Sequence, residues 1–254
     1  MDDLYSLPTY YDVSFSHEMR EELAFLKNVF SQYCKRVRPK ILEPACGTGR
    51  LMVPLIRTGF DCTGFDLNET ALTYLKDKLE RNQLKANIFN ADMADFHVKD
   101  NKYDGAFCTV DTFRHLLSEK QAEQHLITIS KALKKNGIYI LGLHLIPEKA
   151  VLNKVTRWTS RRGRLTVKSA MTMLELDKMK RRETLKVLLN TNSEKESHTS
   201  IYQLRTYTLK QLTKLLKKTS VFEVVNAYDE YYDLSNPVIL NSKSEYAVLL
   251  LRKI

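Results

Sequence analysis

A short apolar run, Ile41-Leu42-Glu43-Pro44-Ala45, breaks into Cys46-Gly47-Thr48-Gly49-Arg50, so two glycines spaced two apart stand directly behind a strand. Glycine lets the backbone turn sharply there and lets a ligand lie against it with no side chain in the way. From residue 40 to residue 146 the chain goes on to alternate short apolar runs with amphipathic stretches, the pattern of parallel strands with helices between them. Residues 62–66, 86–92, 103–110 and 138–143 read as the strands that follow the first. Asn68 is placed to cap a helix with Leu72, Leu75 and Leu79 on its apolar face. Ser118 is placed to cap another with Ala122, Leu126, Ile129 and Leu133, ended by Asn136-Gly137. Residues 222–228 and 246–251 supply two more strands as an antiparallel hairpin at one edge. The pattern is that of a doubly wound α/β fold, in which ligands bind at the carboxyl ends of the strands.

Between residues 154 and 207 the period falls to two. Leu165, Val167, Ser169, Met171 and Met173 alternate with polar neighbours, as do Leu185, Val187 and Leu189, and then the run from Ile201 to Tyr207. Three antiparallel strands are expected here. Thr208 and Gln211 have the spacing of a capping box before a last helix carrying Leu209, Leu212, Leu215 and Leu216. Residues 1–150 and 208–254 thus form one core, and residues 151–207 an insertion over it.

The composition agrees with such a core. Hydrophobic residues make up 43% and charged residues 28% of the 254 positions, which excludes a disordered or fibrous chain. No apolar run approaches the ~18 residues of a membrane span, and the start of the sequence is acidic, so a cytoplasmic protein without a membrane partner is expected. The four cysteines show neither a close pair nor a zinc-ligand spacing and should be reduced and buried; no metal site is expected.

The strand ends carry the chemistry. Glu43 precedes the glycine turn, where a pyrophosphate would be repelled and a ligand ammonium would be welcome. Asp66 ends the second strand, placed to accept hydrogen bonds from a ribose diol. Asp92, in Asn90-Ala91-Asp92-Met93, ends the third and suits the exocyclic amine of a purine, with Leu67 and Met93 against its faces. The segment from Ile41 to Leu51, with Asp66, Asp92-Met93 and Tyr103-Asp104, resembles the class I S-adenosylmethionine-dependent methyltransferases. The resemblance covers roughly residues 10–150 and the last two strands. It implies a Rossmann-like, seven-stranded methyltransferase sheet and S-adenosyl-L-methionine as cofactor, with S-adenosyl-L-homocysteine as product. It assigns Glu43, Ala45, Cys46, Gly47 and Gly49 to the methionine part, Asp66 to the ribose, Asp92 with Leu67 and Met93 to the adenine, and Thr109 to the cofactor's edge.

The acceptor side is read from the fourth strand and the insertion. The run Thr109-Val110-Asp111-Thr112-Phe113-Arg114-His115-Leu116 lacks the Asp-Pro-Pro-Tyr type of turn of adenine amino-methyltransferases, and the chain has no Pro-Cys nucleophile. It is similar to the small-molecule branch of the family, in which a histidine here faces the acceptor. His115 is therefore a catalytic candidate, with helix capping as its alternative. Tyr11 is a second, as a lid over the cofactor or as packing. His144 beyond the fifth strand, and Arg205 and Tyr207 on the insertion, are acceptor-side candidates. The insertion resembles the antiparallel cover of aminosugar and glycine-type N-methyltransferases, which implies a small acceptor methylated on nitrogen or oxygen.

The net charge of +10 is uneven. Residues 1–153 hold 20 basic and 20 acidic side chains, while residues 154–186 hold 11 and 3. A basic insertion keeps an RNA or protein acceptor open as an alternative, although a small molecule is favoured, and a partner role without catalysis is the weakest reading. Exposed Lys and Arg also protect strand edges.

Overall fold

A computed structural model describes residues 4–16, 19–98, 103–146 and 152–254. Its centre is a seven-stranded sheet built from β1 (Lys40–Pro44), β2 (Asp61–Asp66), β3 (Asn87–Asn90), β4 (Tyr103–Cys108), β5 (Leu133–His144), β10 (Phe222–Tyr228) and β11 (Tyr246–Lys253). The spatial order is β10-β11-β5-β4-β1-β2-β3. The first five strands run parallel, β11 lies antiparallel to β5, and β10 antiparallel to β11. The final hairpin therefore extends one edge, as its position after the last helix requires. The order reverses between β1 and β4, and the chain leaves both strands toward the same end of the sheet, which is where such folds place ligands.

Strand alternation divides the core between two faces. On β5, Tyr139, Leu141 and Leu143 face α5 (Glu119–Ala132) and α6 (Leu209–Thr219). On the same strand, Ile138 and Ile140 face the side covered by α2 (Arg20–Tyr33), α3 (Met52–Arg57) and α4 (Glu69–Arg81). β11 repeats the division, with Ala247, Leu249 and Leu251 on one face and Val248 and Leu250 on the other. Both faces of a mostly parallel sheet must be covered to satisfy such strands, and they are. All four cysteines are buried and free.

The caps form as their spacing predicts. The Asn68 side chain accepts from the Ala71 N–H, and Ser118/Gln121 and Thr208/Gln211 each complete a reciprocal capping box. The Ser118 helix ends at Ala132, one residue before Leu133, which turns extended and starts β5.

The insertion is a separate antiparallel sheet with four strands where three are expected: β6 (Val155–Arg162), β7 (Leu165–Asp177), β8 (Arg182–Thr191) and β9 (His198–Arg205), in that order. The additional strand is β6. It is an edge strand whose residues are mostly exposed, with Ser160 alone buried, so its pairing comes from the backbone ladder with β7 and leaves no apolar alternation in the sequence. The inner face of this sheet, through Val167, Val187 and Leu189, packs on Leu4 and on Val13 of α1 (Pro8–Ser14). The N-terminal segment is thus held between insertion and core. The Trp158 indole N–H donates to the Ser14 carbonyl at 2.9 Å, and Ser160 Oγ donates to the same oxygen at 3.0 Å.

Candidate active site

The loop after β1 is bent by three left-handed residues, Ala45 (φ 51°), Gly47 (φ 51°) and Gly49 (φ 67°). The two glycines do different work. A Cβ on Gly47 would meet only the Asp66 carboxylate, at 3.9 Å, so the backbone there borders open space. A Cβ on Gly49 would come within 2.4 Å of Leu75 Cδ1 and 3.1 Å of Val53 Cγ2. Gly49, expected at the cofactor, instead lets α4 close on the loop, and Cys46 turns its thiol inward against β2 at Gly64. Gly49→Ala should therefore lose about 1–3 kcal/mol of stability, from overpacking and left-handed strain. Gly47→Ala, strained but not crowded, should unfold closer to the parent. Urea denaturation of the two variants checks the order.

Asp66 fixes the loop from the neighbouring strand. Its Oδ2 accepts from the Gly47 N–H at 2.7 Å, and its Oδ1 from the Asn68 N–H at 2.8 Å. Burial pushes its carboxyl above the ordinary range, against these two donors. Glu43 is buried, and its Oε2 has no hydrogen-bond partner among the described residues. Burial raises its carboxyl well above the usual value although Arg50 stands near. A cationic group brought to this carboxylate would relieve the deficit.

Beyond β2, Leu67 exposes 66% of its surface, an apolar side chain left at a strand end beside Asp66. Asp92 is exposed, and its Oδ1 accepts from the Ala94 N–H at 2.8 Å. Met93 is buried, with its carbonyl accepting from His125 Nδ1–H at 2.8 Å, while His125 Nε2 accepts from the Tyr139 hydroxyl at 2.7 Å. Burial lowers that imidazole to about 4, so His125 is a neutral strut that fixes the Met93 backbone. These elements form one row along the strand ends, with Gly47 and Asp66 in direct contact.

The N-terminal segment closes over the row. Tyr11 is shielded, and burial raises its hydroxyl while the charges of Arg50, Asp66, Asp12 and Glu43 act on it. Its neighbour Asp12, whose side chain is fully buried, is a hub that nothing local in the sequence marks out. Asp12 accepts from Thr48 Oγ1 of the glycine loop at 2.9 Å and from the Tyr74 hydroxyl at 3.0 Å. Lys78 Nζ lies at 3.0 Å and Arg162 Nη1 of β6 at 2.6 Å. One carboxylate thereby joins α1, the loop, α4 and the inserted sheet.

On the other side, Thr109 is buried at the end of β4 and is followed by two left-handed residues, Val110 (φ 50°) and Asp111 (φ 66°). This turn aims Asp111 back at β5. Its Oδ2 accepts from His144 Nδ1 and its Oδ1 from the His144 N–H, both at 2.8 Å. Arg114 Nη1 approaches Asp111 Oδ1 at 3.0 Å, Arg114 Nη2 binds Glu183 of β8, and Arg114 Nε donates to the Arg205 carbonyl at 2.9 Å. His115 pairs through Nε2 with the Tyr5 hydroxyl at 2.9 Å and stacks on Tyr202 of β9, ring centroids 5.9 Å apart. It bridges the N-terminal segment and the insertion rather than capping a helix.

Arg205 and Tyr207, expected at the acceptor, have other work. Arg205 Nη1 donates to the Leu117 carbonyl at 2.9 Å and Nη2 binds Glu119 at the start of α5. Tyr207 is fully buried against Phe113, with the Arg181 and Arg205 guanidinium groups over its ring. Both lie in the hinge where the insertion rejoins the core, because strand alternation turns them toward α5. No group of metal-ligating side chains occurs among the described residues, nor is any helix among them long and apolar enough to cross a membrane.

Comparison with known proteins places this geometry. The family described as "Methyltransferase domain" matches residues 41–137. A protein named as a methyltransferase from Geobacillus sp. (strain WCH70) is 30% identical over 121 residues, covering 48% of this chain and 49% of its own. A glycine/sarcosine N-methyltransferase from Aphanothece halophytica is 29% identical over 119 residues, 46% of this chain and 43% of its own. The chain spans about half the length of the curated relatives it matches. Among solved structures, an S-adenosylmethionine-dependent methyltransferase from Clostridium acetobutylicum superposes with a TM-score of 0.76 at 16% identity, over 93% of this chain and 92% of that one. DesVI of Streptomyces venezuelae gives 0.73 at 15% identity, over 95% and 96%. Residues 41–137 thus match a methyltransferase domain family, and the chain as a whole shares its fold with structures of S-adenosylmethionine-dependent methyltransferases.

Proposed function

We propose that this protein is an enzyme that transfers a methyl group from S-adenosylmethionine to a nitrogen or oxygen of a small acceptor. The observation that carries the cofactor reading is the pairing of open backbone at Gly47 with the unpartnered, buried Glu43 Oε2. A ligand with an ammonium at one end fits that site. On this reading Glu43 and the loop hold the methionine part, Asp66 the ribose hydroxyls, Asp92 the adenine amine, and Leu67 covers one face of the base.

Bound S-adenosylmethionine supplies a methyl group on a sulfonium, already activated for in-line displacement. The chain's own residues then have to orient, exclude water and manage one proton. Tyr11 and the Asp12 hub hold the N-terminal segment over the loop. Tyr202 of the inserted sheet stacks on His115 of the turn after β4, which supports an enclosed acceptor of small size. Relatives named as glycine/sarcosine N-methyltransferases and a structural neighbour described as an amino pentose methyltransferase support the same class. The basic strands support an RNA acceptor less well, since Arg162 is spent on Asp12 and Arg181 on Glu119.

Calorimetric titration with S-adenosylmethionine tests the site. Asp66→Ala should weaken binding by roughly 1.5–3 kcal/mol, the loss of hydrogen bonds to a charged group. Unchanged affinity would remove Asp66 from the site, and S-adenosylhomocysteine formation on transfer RNA with a steep salt dependence would replace the small-molecule reading.

A further inference from the structure

We propose that His144 and Asp111 form a base dyad that takes the proton from the acceptor, and that the acceptor group is an ammonium. The proposal rests on the methyltransferase reading above and names the group that prepares its nucleophile.

The geometry sets the tautomer. His144 Nδ1 lies 2.8 Å from Asp111 Oδ2, and a carboxylate can only accept, so the proton of the neutral ring sits on Nδ1. Nε2 is then the basic nitrogen, and it has no partner among the described residues. The side chain of His144 is 55% exposed and that of Asp111 21% exposed, so the ring can be reached while its orienting carboxylate is largely shielded. Orientation is enforced twice, because Asp111 also accepts the His144 backbone N–H. The backbone is strained to achieve this. Val110 is a β-branched residue in the left-handed region, a strained conformation found where a turn must aim a functional group.

The surroundings decide what the dyad receives. Asp111, Arg114 and Glu183 are the charged groups that act on His144, and Tyr246 of β11 packs edge-on against its ring at 4.7 Å. Two carboxylates against one guanidinium leave a net charge of −1 beside a neutral imidazole, which attracts a cation. Burial pulls the imidazole down, but Asp111 beside it lifts it above its ordinary value of 6.5. An imidazole base is better matched to an alkylammonium than to an alcohol. Nε2 accepts a proton from the ammonium, whose N–H electron pair becomes the amine lone pair. That lone pair forms the new N–C bond to the methyl carbon while sulfur keeps the electrons of the broken C–S bond. The imidazolium returns its proton to solvent. Atoms and charge balance without a further reactant.

The test uses the whole protein loaded with S-adenosylmethionine. Acceptors are offered in matched pairs, glycine against glycolate and a 4-amino-4-deoxyhexose against the corresponding hexose. S-adenosylhomocysteine should form with an amine and not with its hydroxyl counterpart. His144→Gln should bind S-adenosylmethionine as the parent does and lose about 100-fold in kcat. Parent kcat should rise with pH through the His144 midpoint. Asp111 acts through His144 as a positioning residue, so Asp111→Asn should move that rise to lower pH. Ring-nitrogen NMR, which needs no turnover, should show the Nδ1–H tautomer in the parent and a lower midpoint in Asp111→Asn. The proposal is overturned by an Nε2–H tautomer, by parent-like kcat in His144→Gln, by preference for the hydroxyl partner, or by no turnover of any amine in a chain that binds the cofactor. Failure to bind S-adenosylmethionine at all would instead overturn the cofactor reading, leaving the NMR result to decide the dyad.

Discussion

Replacing Asp12 by alanine will destabilise the protein by about 3–5 kcal/mol, the usual cost of stranding a buried charge by removing its partner. The carboxylate is fully buried, and Lys78, whose side chain is 19% exposed, would lose its acid. Thr48 and Tyr74 would lose their acceptor at the same time. The reciprocal change is milder. Arg162 is 47% exposed and can return to water, so Arg162→Ala should cost about 1 kcal/mol or less. Function should follow stability, because Thr48 sits in the glycine loop proposed to hold the cofactor and Asp12 adjoins Tyr11. Asp12→Ala should weaken S-adenosylmethionine even at temperatures where it stays folded. Acid dependence supplies an independent check. Burial works against the ionised carboxyl, but Lys78 and Arg162 hold it below its ordinary value of 3.8. A group lowered on folding contributes stability that is complete above the unfolded value and is lost as pH falls through the folded one. Asp12→Asn should lack that acid-side loss. Thermal melts of parent and variant between pH 3 and 7 measure it, and a variant as stable as the parent at pH 7 would show that the hub carries no load.

The contrast between what the sequence discloses and what it conceals follows the range of the interactions. The capping residues Asn68, Ser118 and Thr208 are legible because each acts on a group three positions away. The strand ends near Glu43 and Asp66 are legible because a buried strand must be apolar and a residue at its end need not be, whereas β3 has no fully buried residue and stops at Asn90, two residues before the Asp92 at which the sequence predicts its end. Asp12 has no such local mark, since its partners stand at 48, 74, 78 and 162. Arg114 sits inside the run that draws attention to His115, yet its role depends on Glu183 and Arg205. Gly49 and Gly47 look equivalent in sequence, and only the helix packed on one of them tells them apart. Strand β6 escaped because an exposed edge needs no apolar alternation. His144 is legible as an acceptor-side candidate because it follows a strand, but its pairing with Asp111 is not, since that depends on a turn of two left-handed residues after the neighbouring strand.

Arg114→Met should be the most damaging single change on the opposite side of the site. Arg114 is 2% exposed and Glu183 4%, and together with Asp111 they form a buried cluster that ties the turn after β4 to the inserted sheet. Removing the guanidinium leaves Glu183 without its cation, at a cost of about 3–5 kcal/mol, or roughly 10 °C in Tm for a chain of this size. The double variant Arg114→Met/Glu183→Leu should recover most of that loss, since exchanging a buried pair for packed apolar groups is often close to neutral. Recovery of stability need not restore activity. Asp111 would still be held by His144, but it would lose the cation that fixes it from the other side, and the Arg205 carbonyl would lose its donor. The double variant should therefore melt near the parent and still show a lower kcat. If Arg114→Met melts within about 1 °C of the parent, the cluster is solvated in solution; if the double variant is as unstable as the single one, the loss lies in the Arg205 carbonyl contact and not in the stranded charge.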